Sequence, residues 1–152
     1  MAIIEKKIRR RVIEIKVNDY EIPEDLYYSD THEWLKKENG KVRVGITDYA
    51  RKQLGNITYI GFEVSAGDEV KFNQPFGEIE SEKATEDLYS PVSGKVLEVN
   101  TELEDMPQIV EDDPYGNGWM IVVEPTDLEN DLKNLMTAKE YAEYLKKKLE
   151  EE

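Results

Sequence analysis

The stretch Gly77-Glu-Ile-Glu-Ser-Glu-Lys83-Ala-Thr-Glu-Asp-Leu-Tyr-Ser-Pro91 sets the reading of the whole chain. An apolar, β-prone run from Phe76 to Ile79 enters it, and a second, Leu88-Tyr89, leaves it towards Pro91. Between them Ser81-Glu82-Lys83-Ala84 is small and charged, which suits a hairpin turn better than a strand. The spacing predicts two strands joined by an exposed turn that carries Lys83. A lysine in such a place is ordinarily plain solvated surface, since 36% of the chain is charged.

The flanks change that reading. Upstream, Val64-Ser-Ala-Gly67-Asp68-Glu69-Val70 sets a turn glycine between two valines; downstream, Pro91-Val-Ser-Gly94-Lys95-Val96 again gives a turn glycine followed by a strand valine. Glycine at 67 and 94 suits tight turns that need positive φ. The frame of V-x-x-G-D-x-V, I-E-S-x-K-A and P-x-x-G-x-V, over Val64 to Asn100, resembles that of biotinyl and lipoyl carrier domains. The resemblance implies covalent attachment of a cofactor to Lys83. It also implies a mainly β fold, a flattened barrel-sandwich hybrid of two antiparallel sheets, with a short internal helix and C-terminal helices.

At 152 residues the chain is long enough for one modest core. Its net charge of -14 disfavours nucleic acid as a partner, because nothing holds phosphates without a basic patch. The first 17 residues run the other way, with Lys6, Lys7, Arg9, Arg10, Arg11 and Lys16 against Glu5 and Glu14. Cysteine is absent, so neither disulfides nor a cysteine metal site are expected. No apolar run approaches the roughly 20 residues of a membrane span. The Arg-rich start lacks a secretory apolar core and a serine, so cytoplasm is the expected location.

Along the chain, Ile13, Ile15 and Val17 alternate with polar residues and predict a half-buried strand. Residues 1–20 read as an extra edge strand or frayed arm, with a docking arm for an acidic partner as the sharper reading; residues 21–152 read as the carrier domain. Asn39-Gly40 between two β-type runs predicts a hairpin. Thr47 or Asp48 caps a helix running to Leu54, and Ile57 to Val64 reads as a strand with a bulge near Gly61. Lys95 to Val99 is a further strand, followed by an acidic loop holding Pro107 and Pro114 and a last strand from Trp119 to Val123. Leu128, Leu132 and Leu135 recur at helical spacing. Thr137-Ala-Lys-Glu140 then forms a capping box for a helix whose apolar face is Ala138, Tyr141, Leu145 and Leu149.

Biotin acceptors resemble one another in methionines beside the lysine, whereas Glu82-Lys83-Ala84 looks like the lipoyl type. His32-Glu33-Trp34, Val44-Gly45-Ile46-Thr47-Asp48-Tyr49-Ala50, Leu54-Gly55, the run Lys83 to Gly94, and Asp113-Pro-Tyr-Gly-Asn-Gly-Trp119 resemble the H protein of the glycine cleavage system, over about residues 23 to 149. That resemblance implies a non-catalytic, monomeric carrier with lipoate joined to Lys83 as an amide. It would serve glycine decarboxylase, a folate-dependent aminomethyltransferase and dihydrolipoyl dehydrogenase, and be loaded by a lipoate ligase or an octanoyl/lipoyl transferase. Glu33 and Asp87 become candidate contacts for the arm, since a carboxylate can hold an ammonium by a charge-assisted hydrogen bond. Glu82, where the family has an apolar residue, becomes a candidate recognition position for the ligase. Gln53 stands where some family members carry a cleft histidine and cannot titrate. His32 is expected to make a structural hydrogen bond beside Trp34. Two other readings stand beside this one. Tyr20 to Tyr28 also resembles the start of lipoate-binding carriers of a heterodisulfide-reductase-like sulfur-oxidation pathway, and a lipoyl-like domain can serve purely as an unmodified interaction module.

Overall fold

Asn39 and Gly40 both take positive φ, 48° and 82°, the backbone that a two-residue type I′ hairpin turn requires. The turn joins β5 (Glu33–Glu38) to β6 (Lys41–Ile46), with Glu38 opposite Lys41 and Glu33 opposite Ile46. A computed structural model describes residues 2–9 and 12–151; Arg10 and Arg11 of the basic segment lie outside the described residues. Around the hairpin a seven-stranded antiparallel sheet runs in the order β13-β4-β5-β6-β12-β11-β8. Its other strands are β4 (Tyr27–Tyr28), β8 (Glu69–Val70), β11 (Gly94–Val99), β12 (Ile121–Pro125) and β13 (Met136–Thr137). A second, three-stranded sheet has the order β10-β9-β7, with β7 (Ile57–Phe62), β9 (Pro75–Ser81) and β10 (Thr85–Tyr89).

These two sheets enclose the main core. Val42, Val44 and Ile46 alternate along β6 and are buried together with Ile60, Phe76, Ile79, Leu88, Val96, Ile121 and Val123. Period-two burial of this kind is what fixes register, because a one-residue slip would turn every valine to solvent. The expectation of a mainly β fold with two antiparallel sheets holds.

The N-terminal segment is a third sheet, β1-β2-β3, made of β1 (Ile4–Arg9), β2 (Val12–Val17) and β3 (Tyr20–Pro23). β2 is the strand expected from the alternation; β1 pairs along its full length with it, Ile4 opposite Val17 and Arg9 opposite Val12. Ile15, Val17 and Ile22 face a second core, shared with Tyr28, Trp34, Tyr141 and Leu145. The lid of that core is α5 (Ala138–Glu150), which starts with the expected reciprocal capping box between Thr137 and Glu140. Tyr20, the first residue of β3, stands opposite Val17 of β2.

Four local expectations change. The register shift in β7 lies between Ile57 and Tyr59, not at Gly61, where the Tyr59 side chain lies over the bare glycine. The acidic segment is not loop throughout but two short helices, α2 (Glu102–Asp105) and α3 (Gln108–Asp112). Leu103 and Val110 pin them to the core, a tertiary pull that overrides weak local signals. Gly67 has the expected positive φ, +99°, but Gly94 does not. Gly94 is required for a different reason: a Cβ there would stand 2.1 Å from the Glu124 carbonyl oxygen of the paired strand. After α4 (Leu128–Leu132) the chain adds the short strand β13 before α5, so β12 is not the last strand.

Gly45 shows how tightly these pieces are fitted. It pairs with Trp34 across the hairpin, and a Cβ at that point would lie 2.6 Å from the indole, closer than any real contact. Gly45→Ala is expected to cost about 1–3 kcal/mol through overpacking, read as a lower midpoint in urea with an unchanged slope.

Candidate functional site

Lys83 sits at the tip of the β9–β10 hairpin and is exposed, as expected. The strands run in register from Thr85 opposite Glu80 to Leu88 opposite Gly77. Ser81 closes the turn. Its amide donates to the Ala84 carbonyl at 2.8 Å, and its hydroxyl oxygen accepts from the amides of Lys83 (3.1 Å) and Ala84 (3.2 Å). A serine side chain that collects following amides is a common way to stabilise a turn. None of these bonds uses the Lys83 ammonium.

The stem of Lys83 lies back across Gly55, the residue that ends α1 (Asp48–Leu54). Gly55 has φ +80°, and a Cβ built there would meet Lys83 Cε and Nζ at 3.6 Å. α1 itself begins at Thr47, whose side chain accepts from the Ala50 amide; the cap is Thr47, and Asp48 is buried behind it. Asp48 Oδ1 takes Arg51 Nε at 2.8 Å, and Oδ2 takes Lys52 at 3.1 Å and the Glu21 amide of β3 at 2.9 Å. Gln53 donates to the Tyr20 hydroxyl at 3.0 Å. The helix beneath the lysine is thus bolted to the N-terminal sheet.

Of the other sequence candidates, Glu82 is exposed at the turn and accepts from Asn56 Nδ2 at 3.1 Å. Asp87 is exposed on β10, opposite Glu78. Glu33 lies elsewhere. It is 2% exposed; its carboxylate accepts from the Ser29 hydroxyl at 2.8 Å, the Thr31 hydroxyl, and the Tyr89 amide at 3.1 Å. Tyr89 ends the strand that Lys83 precedes, so Glu33 grips the far end of the hairpin, about 20 Å of extended chain from the lysine. The structure brings Glu82 and Lys83 together, and joins Glu33 to the hairpin through its backbone.

Burial drives Glu33 up to about 7 despite its three donors. His32, its neighbour, goes the other way: desolvation and, secondarily, Lys148 lower it to about 4. It is therefore neutral near pH 7, and Nδ1 lies 2.7 Å from the Tyr141 hydroxyl, which in turn reaches Thr47 Oγ1 at 3.1 Å. The expected structural hydrogen bond is present. Trp34, third in the row, donates to the Pro114 carbonyl at 3.0 Å. Sequence reasoning missed Asn56, which stands 26 positions from Glu82 with no local signal, whereas Ser81 was visible as a turn residue. Among the described residues no group of three His, Cys, Asp or Glu side chains is placed to hold a metal ion, and no helix is long and apolar enough to cross a membrane.

A two-sheet β fold with an exposed lysine at the tip of a hairpin is the arrangement expected of a carrier-type domain. The family model for the glycine cleavage H-protein matches residues 26–148. The glycine cleavage system H protein of Bacillus licheniformis is 49% identical over 124 residues, covering 82% of this chain and 96% of that one. The probable H protein of Pyrococcus abyssi is 49% identical over 133 residues, or 87% and 98%. A crystal structure of the Mycobacterium marinum H protein superposes with a TM-score of 0.73 at 39% identity, over 81% of this chain and 98% of that one. The chain belongs to the glycine cleavage H-protein family. The matched span of the family model begins after β3, so the β1–β2–β3 sheet precedes it.

The opposite shifts of His32 and Glu33 give a pH signature. Glu33, raised in the folded state, contributes stability fully present below about 4.5 and lost as pH rises through about 7. His32, lowered, acts in the other direction between about 4 and 6.5, so the two partly cancel in wild type. In Glu33→Gln the amide can donate to Ser29 and Thr31 while its oxygen keeps Tyr89. The stability of wild type relative to this variant is expected to fall by at most roughly 3 kcal/mol between pH 4.5 and 7.5, measured by urea unfolding across that range.

Proposed function

We propose that Lys83 is the lipoyl attachment site of a glycine cleavage H protein. As the amide-linked carrier it would take the aminomethyl group of glycine from the pyridoxal-phosphate decarboxylase to the folate-dependent aminomethyltransferase. Dihydrolipoyl dehydrogenase would restore the arm. One observation carries this reading: the hydrogen bonds of the Lys83 turn come from Ser81, backbone groups and Glu82, and none of these uses the lysine ammonium, so converting the ammonium to a neutral amide leaves the turn intact. The bare floor at Gly55 lets the stem lie flat or swing away.

When attached, lipoate supplies the dithiolane that accepts and gives up the one-carbon unit; the protein supplies position. Glu33 and the exposed Asp87 have different parts in this proposal. Glu33 fixes the Tyr89 end of the hairpin from within, and Asp87 presents a carboxylate along β10 to a cationic group on the arm. Tethering keeps the arm at high local concentration for each enzyme in turn. The chain acts as a non-catalytic subunit, with residues 1–20 an appendage packed through β2 onto the carrier domain of residues 21–152. A lipoate ligase or octanoyl/lipoyl transferase loads it in the cytoplasm.

Incubation with lipoate ligase, lipoate and ATP is expected to add one lipoyl group by intact mass, and Lys83→Arg to abolish it. The loaded protein should then support glycine–bicarbonate exchange with a decarboxylase. An unmodified product sinks the proposal, and full loading without exchange moves the function to the sulfur-oxidation carriers.

A further inference from the structure

The tip of the Lys83 turn is fastened to the end of α1 by two adjacent residues. Lys83 lays its stem over Gly55, and Glu82 places its carboxylate oxygen 3.1 Å from the Asn56 amide nitrogen. Successive side chains on a strand point to opposite faces; here the turn lets both reach the same two-residue ledge, Gly55-Asn56.

That ledge is rigid on both sides. The Gly55 amide donates to the Arg51 carbonyl at 3.0 Å, and the Ile57 amide donates to the Glu111 carboxylate of α3. Gly55, at φ +80° and ψ -129°, holds a conformation that is open essentially to glycine alone. Asn56 is thus presented by a backbone held at both neighbours, and its exposed side chain donates to the exposed Glu82 carboxylate.

We propose that Asn56 is a positioning residue for the acylation of Lys83: by holding Glu82 it keeps the turn ordered and the lysine stem bedded on Gly55, so that the amine meets the acyl donor at a fixed place beside α1. The proposal rests on the lipoyl reading of Lys83. Acylation joins the lysine nitrogen to the carbonyl carbon of an activated donor such as an acyl-adenylate. The bond from that carbon to the phosphate oxygen breaks, AMP leaves with the electron pair, and the amine proton passes to solvent. Holding the nucleophile near its attack position raises the rate without any chemical role for Asn56 itself. The clamp also explains how Glu82 is accommodated beside the lysine: its charge is engaged by a neutral donor rather than by the ammonium.

The test compares wild type with Asn56→Ala, Asn56→Asp and the swapped pair Asn56→Asp/Glu82→Gln, in which the hydrogen bond runs the other way. Lipoyl addition by lipoate ligase is followed by intact mass at varied carrier concentration, and backbone amide order parameters are recorded for residues 82–84. The first variant is expected to lose about threefold in kcat/KM and the second about tenfold, because it sets two carboxylates together; the swapped pair should return to within about twofold of wild type. Unfolding midpoints should stay level while the order parameters fall from about 0.85 towards 0.6 in the two single variants and recover in the pair. Order parameters unchanged across the set, or a pair no better than Asn56→Asp, overturn the proposal whether or not acylation is seen. If wild type accepts no lipoyl group while the turn loosens as expected, the lipoyl reading falls and the clamp stands.

Discussion

Burying the Trp34 indole completely sets three requirements at once. It needs a flat floor, which only Gly45 in the paired strand provides, since a Cβ there would enter the ring. It needs an acceptor for its N–H, supplied by the Pro114 carbonyl, because a buried indole N–H left unpaired is costly. And it needs walls, which are Tyr115 at 6.3 Å between ring centres and the residues under α5. Meeting these conditions draws the 113–118 turn against the β5–β6 hairpin. Tyr115 then receives the Asp48 amide at 3.0 Å and donates to the Glu21 carbonyl at 2.5 Å, which seats the start of α1 between β3 and that turn. The lysine's ledge at Gly55-Asn56 is the other end of the same helix. Trp34 is thus linked to the site through Tyr115, Asp48 and the length of α1.

Charge acts over the whole surface rather than at one contact. The chain carries -14, and the outer side of the lysine hairpin pairs Glu78 with Asp87 across the strands. Desolvation, the hydrogen bond that its protonated form donates to Glu80, and the charges of Glu80, Asp87 and Glu63 raise Glu78. Like charges facing each other cost stability, so the fold bears this cost against the packing gained by Ile79 and Leu88 on the inner side. What such a field does in return is favour the approach of cationic surfaces over distances of about a Debye length, an effect that salt weakens. On the proposed reading, a carrier that visits several enzymes benefits from fast, weak encounters of this kind.

The strands and the hairpin at Lys83 were legible because alternation and turn chemistry are local signals. Asn39-Gly40 and the Thr137–Glu140 box were read for the same reason: their physics is complete within four residues. Gly94 was recognised as necessary but for the wrong cause, since a close approach between strands leaves the same letter in the sequence as a positive φ. The helices α2 and α3 were not legible, because Leu103 and Val110 are held by partners far along the chain. β1 escaped for a related reason; its partner is β2, and a strand of mixed charge declares itself only through pairing. At the site, Lys83, Glu82 and Asp87 could be named, but the burial of Glu33 and the reach of Asn56 could not, since both depend on residues 26 to 56 positions away.

His32, Glu33 and Trp34 look like a single motif and do three separable jobs. Trp34 fixes the hairpin to the 113–118 turn, His32 ties it to α5 through Tyr141, and Glu33 fixes it to β10 through Tyr89. One short stretch thus anchors the strand to three neighbours that come from well-separated parts of the sequence. Only the link through Glu33 leads directly to the lysine hairpin, and it grips the base, not the tip. The tip is held from the other side by α1. On the proposed lipoyl reading, an arm that moves through several active sites needs an attachment point that does not, and the two ends of the hairpin are tied to different elements. Flexibility in that reading belongs to the arm, and the bonds from Glu33 to Tyr89 and from Asn56 to Glu82 serve to keep it there.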